Sequence, residues 1–466
     1  MIIRRTYIYI VFLLVSWLLF QAPDYAYPGS APSAKPNIIL LSIDTLRADH
    51  LSCYGYDRKT SPFIDEFTKD SVLFENVISQ SAHTAPSHMS IFSSLMPDVH
   101  GVSNYSGAKF PALAPVSPTL AEVLKDSGYL TVGIHGGGNV NADLGFDKGF
   151  DYYKKKFNLE AADPGAIPPE IGQWIDKSRQ EGKPLFLFLH HYFCHSPYLY
   201  GPQELRTAFL ENPVEGLATR PEDLAKGGQN KNREFWEKID LSNPRHRAHV
   251  ISLYDGGVLV SDHIFREIVE LLKEKGVYRN SIIILTSDHG EEFYEHGFKE
   301  HCHLFIEHLH VPLIIKFPKN IYAGRRINRR VRLVDLMPLI CDQVAIAPPP
   351  NKQGISFLPL LTAKGYYDPL IVSNRGYTMR FYQDGYVYSD MPLRETNEWL
   401  FDPDTDPREQ NNLSLEKPDV VKKMRSVAEK EKKAKYKFAR GLQVKTTPPP
   451  PGEELSKQLK ALGYIE

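Results

Sequence analysis

Residues 37–44 read NIILLSID, and this stretch decides the fold. The apolar run from 37 to 43 is bounded by polar residues, which is typical of a strand buried on both faces. Asp44 follows the run directly. Because ligands bind at the carboxyl ends of strands in parallel α/β sheets, Asp44 lies where a functional site is expected. The alternative is that Asp44 only caps a helix or closes a turn.

Similar apolar runs recur at residues 130–134, 184–189, 281–285 and 311–317. Helical patterns lie between these runs. One begins with Ser117 as N-cap and Pro118 at the first position and ends at Gly128, and another extends from about 249 to 275. Strands that alternate with helices predict an α/β fold, in which helices cover both faces of a central mixed, mostly parallel sheet.

The pattern changes after residue 350. Residues 370–400 alternate short apolar stretches with turn residues, which predicts a short antiparallel sheet. A charged helix is expected from about 418 to 437, and the TTPPPP run at 446–451 predicts a stiff spacer before a short C-terminal helix. We therefore predict a catalytic α/β domain over 36–350 and a smaller α+β subdomain with its tail over 351–466.

The bulk composition is that of a soluble globular protein of 466 residues, with 42% hydrophobic and 24% charged residues. A formal net charge of −1 provides no global field toward nucleic acid, so we expect no nucleic-acid partner. Four cysteines do not make a disulfide framework in a chain of this size. Cys194 and Cys302 lie in histidine-rich stretches, and whether they pair is left open.

The N-terminus carries a targeting signal. Arg4 and Arg5 precede an uncharged run at 7–20, and a Pro-, Ser- and Ala-rich stretch follows over 21–35. A run of 14 residues suits a signal peptide better than a membrane span, which needs about 20. An uncleaved anchor formed by residues 7–20 is the alternative. Either interpretation predicts export to the periplasm or the outside of the cell.

A second pair of polar residues follows another buried run. Asp288 and His289 come directly after SIIILTS at 281–287, and Gly290 follows them. Carboxylate oxygen and imidazole nitrogen together suit zinc, manganese or a similar divalent ion. Gly290 permits a close approach of the backbone or an unusual turn. These residues therefore indicate a metal site at the same edge of the sheet as Asp44.

The run TAPSH at 84–88 offers a nucleophile. Pro86 marks the first turn of a helix, so Thr84 is expected just before the helix N-terminus, where N–H groups and the dipole favour an oxyanion. A threonine hydroxyl is almost fully protonated at neutral pH, and coordination to a divalent cation lowers its pKa. The alternative is that Thr84 is an ordinary N-cap residue.

Histidines are concentrated in two further stretches, FLHHYFCHSPY at 188–198 and EHGFKEHCHLFIEHLHVP at 295–312. Histidines beside strand ends complete metal sites, neutralise oxyanions or protonate leaving groups. We expect two or three of them to be functional and the rest to be packed or solvated.

Taken together, four stretches resemble the sulfatases and their relatives in the alkaline phosphatase-like superfamily. They are residues 38–67, 84–102, 254–297 and 398–413, in the family's order and spacing. The resemblance implies that one divalent ion (Ca, Mn, Zn or Mg) is held by Asp44, Asp288 and His289 together with the nucleophile Thr84. It further implies that His195 and His301 contact the ester or assist the leaving group, with His303 as the alternative alignment to His301.

The nucleophile departs from the sulfatase pattern. Sulfatases have a cysteine or serine that is converted to formylglycine, and Thr84 cannot form that aldehyde. Relatives that use a metal-bound threonine tend to be phosphodiesterases or transferases of phosphoglycerol and phosphoethanolamine groups. The resemblance therefore favours phosphoryl over sulfuryl chemistry on a small-molecule, glycan or lipid ester.

Three further positions differ. His88 replaces the arginine that usually ends the nucleophile signature, and Thr45 replaces the usual second aspartate. The sulfate-binding Lys-x-His is missing, and the stretch at 130–139 reads LTVGIHGGGN instead. His135 or Asn139 is then expected to bind substrate in its place, alongside His88.

Two alternatives remain. One is a catalytically silent homologue that keeps the fold and the anion site. The other is a dinuclear phosphodiesterase with a second metal, whose further ligands come from the loops of His195, His301 and His303. The choice between hydrolysis and transfer, the metal and the oligomeric state are left open.

Overall fold

The strands of the main sheet come from residues 37 to 327. The computed structural model describes residues 35–102, 117–156, 167–225 and 231–442, except 363, 366, 376, 377, 394 and 395. The described strands, numbered along the chain, are β1 (Asn37–Ile43), β2 (Val72–Phe74), β3 (Val77–Ile78), β4 (Leu130–His135), β5 (Tyr152–Lys155), β6 (Leu185–His191), β7 (Ser281–Thr286), β8 (Glu292–Phe293), β9 (Lys299–Glu300), β10 (Leu313–Lys316), β11 (Arg325–Ile327), β12 (Val331–Arg332), β13 (Ile371–Arg375), β14 (Thr378–Gln383), β15 (Tyr386–Ser389) and β16 (Trp399–Phe401).

The described α-helices range from single turns to one of 31 residues. They are α1 (Pro62–Phe67), α2 (Thr84–Ser93), α3 (Pro97–His100), α4 (Leu120–Asp126), α5 (Ile167–Gln180), α6 (Gln203–Arg206), α7 (Lys231–Glu237), α8 (Pro244–Glu274), α9 (Ile306–Leu309), α10 (Leu336–Gln343), α11 (Pro359–Thr362) and α12 (Pro418–Gly441).

The main sheet has eight strands in the order β11-β2-β10-β7-β1-β6-β4-β5. β1 lies at its centre and pairs in parallel with both β6 and β7. β10 runs antiparallel to β7 and β2, whereas the other described pairings in the sheet are parallel. The predicted mixed, mostly parallel sheet is therefore confirmed.

Alternate residues of β1 enter two different cores, which explains its continuous apolar run. Ile39 and Leu41 pack with residues of α5 and α8 on one face. Ile38 and Leu40 pack with residues of α2, α4 and α10 on the other. Full burial of each such side chain contributes about 1.5–3 kcal/mol. The predicted covering of both faces by helices is confirmed.

The C-terminal part contains the predicted antiparallel sheet. β13, β14, β15 and β16 pair in that order, each antiparallel to the next. α12 covers one face, where Met424 packs with Met379 and with Val99 of α3. The described residues from 36 to 442 belong to one compact unit, and the domain boundary at 350 within it stays a prediction.

Several element ends differ from the prediction. The N-cap of α4 is Thr119 instead of Ser117, because the Thr119 hydroxyl accepts from the Glu122 amide while the Glu122 carboxylate accepts from the Thr119 amide. α8 begins at Pro244, five residues before the predicted start. Thr84 is the first residue of α2 and His83 is its N-cap, so Thr84 lies inside the helix and not just before it.

Two sequence predictions lie outside the described residues. These are the signal or anchor at 7–20 and the spacer and short helix after 446. In the part of the chain that the structure describes, no helix is long and apolar enough to cross a membrane.

Candidate active site

The ends of two neighbouring strands bring the predicted metal ligands together. β1 and β7 are parallel partners, so Asp44 and the pair Asp288–His289 leave the sheet at the same edge. One ligand atom from each of the three lies within 4.8 Å of the others, and all three side chains are fully buried. Three residues separated by up to 245 positions thus form one group because the sheet is parallel.

Thr84 joins this group from the N-terminus of α2. Its Oγ1 donates to Asp44 Oδ2 across 3.1 Å and lies 3.3 Å from His289 Nε2. The positive end of the helix dipole is therefore directed at the place where charge would develop on an attacked ester. The structure brings the four predicted metal-site residues into one cluster.

Two buried carboxylates lie close together in this cluster. Burial and the nearby Asp288 raise the pKa of Asp44 well above its usual range. Burial also opposes ionisation of Asp288, but His289 and His88 hold its pKa below the ordinary value. Asp44 Oδ1 and Asp288 Oδ2 are buried and have no hydrogen-bond partner among the described residues. A divalent ion bound by both oxygens would satisfy them, so these residues fit a metal.

Neighbouring backbone groups orient the ligands. His289 Nδ1 lies 2.9 Å from the Gly290 carbonyl oxygen, so an Nδ1–H donor leaves the Nε2 lone pair for a metal. Burial lowers the pKa of His289 to about 4, which keeps the ring neutral. Gly290 has the close approach that was predicted, since a Cβ there would lie 2.0 Å from the Glu307 carbonyl oxygen.

The chain matches models of known families. Residues 36–346, more than half of the chain, match the family model described as Sulfatase. The chain belongs to the sulfatase family. Residues 294–435 also match a model described as N-sulphoglucosamine sulphohydrolase, C-terminal. The predicted class, a sulfatase-like ester hydrolase, is therefore confirmed.

The relatives of this sulfatase-family protein are distant but extend over most of its length. An N-acetylglucosamine-6-O-sulfatase of Bacteroides thetaiotaomicron is 22% identical over 89% of both chains. Iduronate 2-sulfatase of Mus musculus is 24% identical over 74% of this chain and 75% of its own. The crystal structure of a phosphonate monoester hydrolase of Agrobacterium radiobacter superposes with a TM-score of 0.66 at 18% identity, over 87% of this chain and 96% of that one.

His195 and His301 both lie beside the three candidate metal ligands Asp44, Asp288 and His289. The ring of His301 is centred 4.5 Å from that of His289 and 5.3 Å from that of His195. Burial lowers the pKa of His195 to about 3. Burial acts in the same direction on His301, but Glu291 raises the pKa of His301 above its ordinary value. The structure therefore places one neutral and one more basic histidine next to the metal ligands.

Two residues of the site were not selected from the sequence. Glu291 Oε1 lies 3.1 Å from His301 Nδ1, and Glu291 Oε2 accepts from the Tyr198 hydroxyl. His190 Nε2 lies 3.2 Å from Asp44 Oδ2. A signal for His190 existed, because it is the next-to-last residue of β6, the strand that pairs in parallel with the one preceding Asp44. Glu291 directly follows the Asp-His-Gly run, and this position could have identified it from the sequence.

His88 lies behind Thr84. It is fully buried, its Nδ1 is 2.9 Å from the Thr84 carbonyl oxygen, and its Nε2 is 2.9 Å from Ser42 Oγ. These contacts hold the first turn of α2 against β1. The predicted contact of His88 with substrate stays a prediction.

Tyr192 contacts both the stretch after β4 and His190. The Tyr192 hydroxyl donates to the Gly137 carbonyl and accepts from the Asn139 amide, and its ring contacts that of His190. The described contacts of His135 are to the Gly137 amide and the Tyr153 ring. Substrate binding by His135 and Asn139 also stays a prediction.

His303 lies in a different group from His301. Its ring contacts Phe298 and His308, and it forms a second set of candidate metal ligands with Glu292 and His308. The dinuclear alternative expected further ligands from the His195, His301 and His303 loops, and the structure separates His303 from the other two.

Cys194 and Cys302 are both free thiols.

Proposed function

We propose that this sulfatase-family enzyme cleaves a phosphoric ester by attack of Thr84 and prefers phosphoryl to sulfuryl transfer. The observation that carries the proposal is the position of the Thr84 hydroxyl. It lies between Asp44 and His289 at the first residue of α2, where sulfatases carry their aldehyde nucleophile.

Threonine changes which reaction can be completed. A hydrated aldehyde expels sulfate through its second hydroxyl, so no attack at sulfur is needed in the second step. A threonine ester lacks that hydroxyl, and the covalent intermediate must be opened by attack at its central atom. Phosphothreonine beside a bound cation is opened by water more readily than a sulfated threonine. This argument favours phosphate esters as substrates.

The first step forms a bond between Thr84 Oγ1 and phosphorus and breaks the bond to the leaving oxygen. The hydroxyl proton passes to Asp44 Oδ2, to which Thr84 already donates. A divalent ion held by Asp44, Asp288 and His289 would lower the pKa of the hydroxyl and offset charge on the ester. The product of this step is phosphothreonine and a free alcohol.

Proton delivery to the leaving oxygen is assigned to His301, the more basic of the two histidines beside the metal ligands, and contact with the ester to His195. Glu291 holds Nδ1 of His301, which fixes the ring next to the metal group. Water then attacks phosphorus and gives a proton to His301, the bond to Thr84 Oγ1 breaks, and the hydroxyl regains its proton from Asp44. An acceptor alcohol in place of water would give group transfer.

The test compares four chromogenic esters that release the same nitrophenol: a phosphate diester, a phosphate monoester, a phosphonate and a sulfate. Each is assayed with added Mn²⁺, Zn²⁺, Mg²⁺ or Ca²⁺. We expect kcat/KM for a phosphorus ester to exceed that for the sulfate at least about tenfold. Thr84→Ala should lower kcat about 10³-fold or more, whereas Thr84→Ser should retain part of the activity.

Intact-mass measurement of quenched reactions supplies the control. A phosphoryl adduct is expected on the wild type and not on Thr84→Ala. A faster reaction with the sulfate would overturn the phosphoryl preference, and full activity of Thr84→Ala would overturn the nucleophile. Metal binding without turnover of any ester would favour the silent homologue.

Export of the enzyme is a separate proposal that rests on residues 7–20 and the two arginines before them. Fusion of residues 1–35 to a reporter that is active only outside the cytoplasm should give activity, and replacement of Leu13 and Leu14 by aspartate should abolish it. A reporter that stays inactive with the native leader would contradict export.

A further inference from the structure

A second set of metal-binding side chains lies next to the active site. It consists of Glu292 in β8, His303 in the loop between β9 and α9, and His308 in α9. One oxygen of Glu292 and one nitrogen from each histidine lie within 4.8 Å of one another. Glu292 and His308 are fully buried and His303 is partly exposed, so an ion could enter from the His303 side.

Each of the three side chains has a buried polar atom without a hydrogen-bond partner among the described residues. These atoms are Glu292 Oε2, His303 Nδ1 and His308 Nδ1. Buried polar atoms are nearly always paired, and an unpaired one costs free energy. Three such atoms in one small group indicate that an additional partner belongs there.

The backbone holds one polar atom of Glu292 and one of His308. Glu292 Oε1 accepts from the amides of His296 and Phe298, at 2.8 and 3.0 Å. His308 Nε2 lies 3.2 Å from the Glu300 carbonyl oxygen and 3.6 Å from Glu292 Oε2. Such contacts orient metal-binding side chains in known sites, because they fix the ring or the carboxylate.

We propose that Glu292, His303 and His308 bind a second divalent ion, for which Zn²⁺ has the matching preference for two imidazoles and one carboxylate. Sites of this composition keep a fourth position for water or another ligand. The inference goes beyond the proposed function and does not depend on it, since the three side chains are distinct from Asp44, Asp288 and His289.

The place of this ion in the chain indicates what it would do. His301 lies two residues before His303, and Glu291, which holds His301, lies directly before Glu292. The Gly290 amide donates to the His308 carbonyl across 2.7 Å. An ion bound by this group would therefore tie the loop that carries His301 to the strand end that carries the active-site ligands.

The experiment measures zinc in the full chain. The protein is stripped with a chelator, reloaded with excess Zn²⁺, freed of unbound metal by gel filtration and analysed by mass spectrometry for zinc per chain. We expect about two equivalents in the wild type and about one in His303→Asn. Asp288→Asn should also retain about one, and the double variant should retain almost none.

Glu292→Gln is the second variant, because it keeps an acceptor for the two amides while it replaces the atom that faces the histidines. His263→Asn, a partly exposed histidine of α8, is the matched control and should keep the wild-type zinc content. Circular dichroism checks that each variant is folded. Wild-type zinc content in folded His303→Asn and Glu292→Gln would overturn the proposal.

Discussion

The active-site group and the Glu292–His303–His308 group use similar ligands but are assembled differently. Thr84 is 40 positions from Asp44 and 205 from His289, and the ends of β1, β7 and α2 bring them together. The second group lies within one segment between positions 292 and 308. The rigid sheet therefore positions the first group whether or not an ion is bound, whereas the second depends on its own loop contacts.

Because the sheet holds the active-site group in place, we expect the largest loss of activity when one of its ligands is removed. Asp288→Asn keeps the shape of the side chain but removes the charge that a cation needs. We expect kcat/KM toward the best phosphorus ester to fall about 10³-fold, which corresponds to about 4 kcal/mol. Thermal stability should change little, because the change also removes the repulsion between Asp288 and Asp44.

The measurement is steady-state kinetics at saturating metal, with thermal unfolding followed in parallel. Glu274→Gln, an exposed carboxylate near the end of α8, is the control and should behave like the wild type. Retention of more than about a tenth of the activity by Asp288→Asn would contradict the assignment of the active-site group.

The main sheet and the active-site group could both be predicted from the sequence, for the same physical reason. β1 and β7 are buried on both faces, so they appear as continuous apolar runs, and the polar residue after each run lies at the functional edge. The N-cap of α4 was misplaced although its signal was present, since Thr119 and Glu122 have the spacing of a capping box.

The partners of the histidines could not be predicted in the same way. Periodicity does not show which of the five histidines between 296 and 310 faces which carboxylate, because short loops and single turns separate them. Glu291 holds His301 and Glu292 faces His303, so neighbouring acids serve different groups. Only the path of this loop in the folded chain shows that Glu291 belongs with His301 and Glu292 with His303.

We expect a loss of activity of intermediate size from substitution of Glu291, which lies in the sequence between His289 and Glu292. Glu291→Gln removes the charge that raises the pKa of His301, while its neighbour Glu292 stays in place. Loss of a carboxylate that orients a functional histidine typically costs about 10–100-fold in activity or metal affinity. We expect a fall of that size in kcat, with zinc content still at the wild-type level.

Zinc content distinguishes this role from a structural one. If Glu291→Gln lost an equivalent of zinc, Glu291 would belong to a metal site instead of acting through His301. Tyr198→Phe removes the other described partner of the Glu291 carboxylate and should give a smaller decrease in kcat.

The smallest effect on catalysis is expected from the second group, and here stability is the sharper measurement. An ion that binds only the folded chain stabilises it by about 2.7 kcal/mol when free metal is at a hundredfold excess over Kd. For a chain of this size we expect added Zn²⁺ to raise the unfolding temperature of the wild type by about 2–4 °C.

Glu292→Gln should lose most of that rise and lower kcat less than about tenfold, because the sheet still positions Asp44 and Asp288. The unfolding temperatures with and without Glu292→Gln are compared in the Asp288→Asn background, so that zinc at the active site does not contribute. The kcat of Glu292→Gln is measured with Asp288 in place. An equal rise in both proteins would show that the stabilising ion binds elsewhere, and a loss of activity as large as that of Asp288→Asn would show that the two groups are not independent.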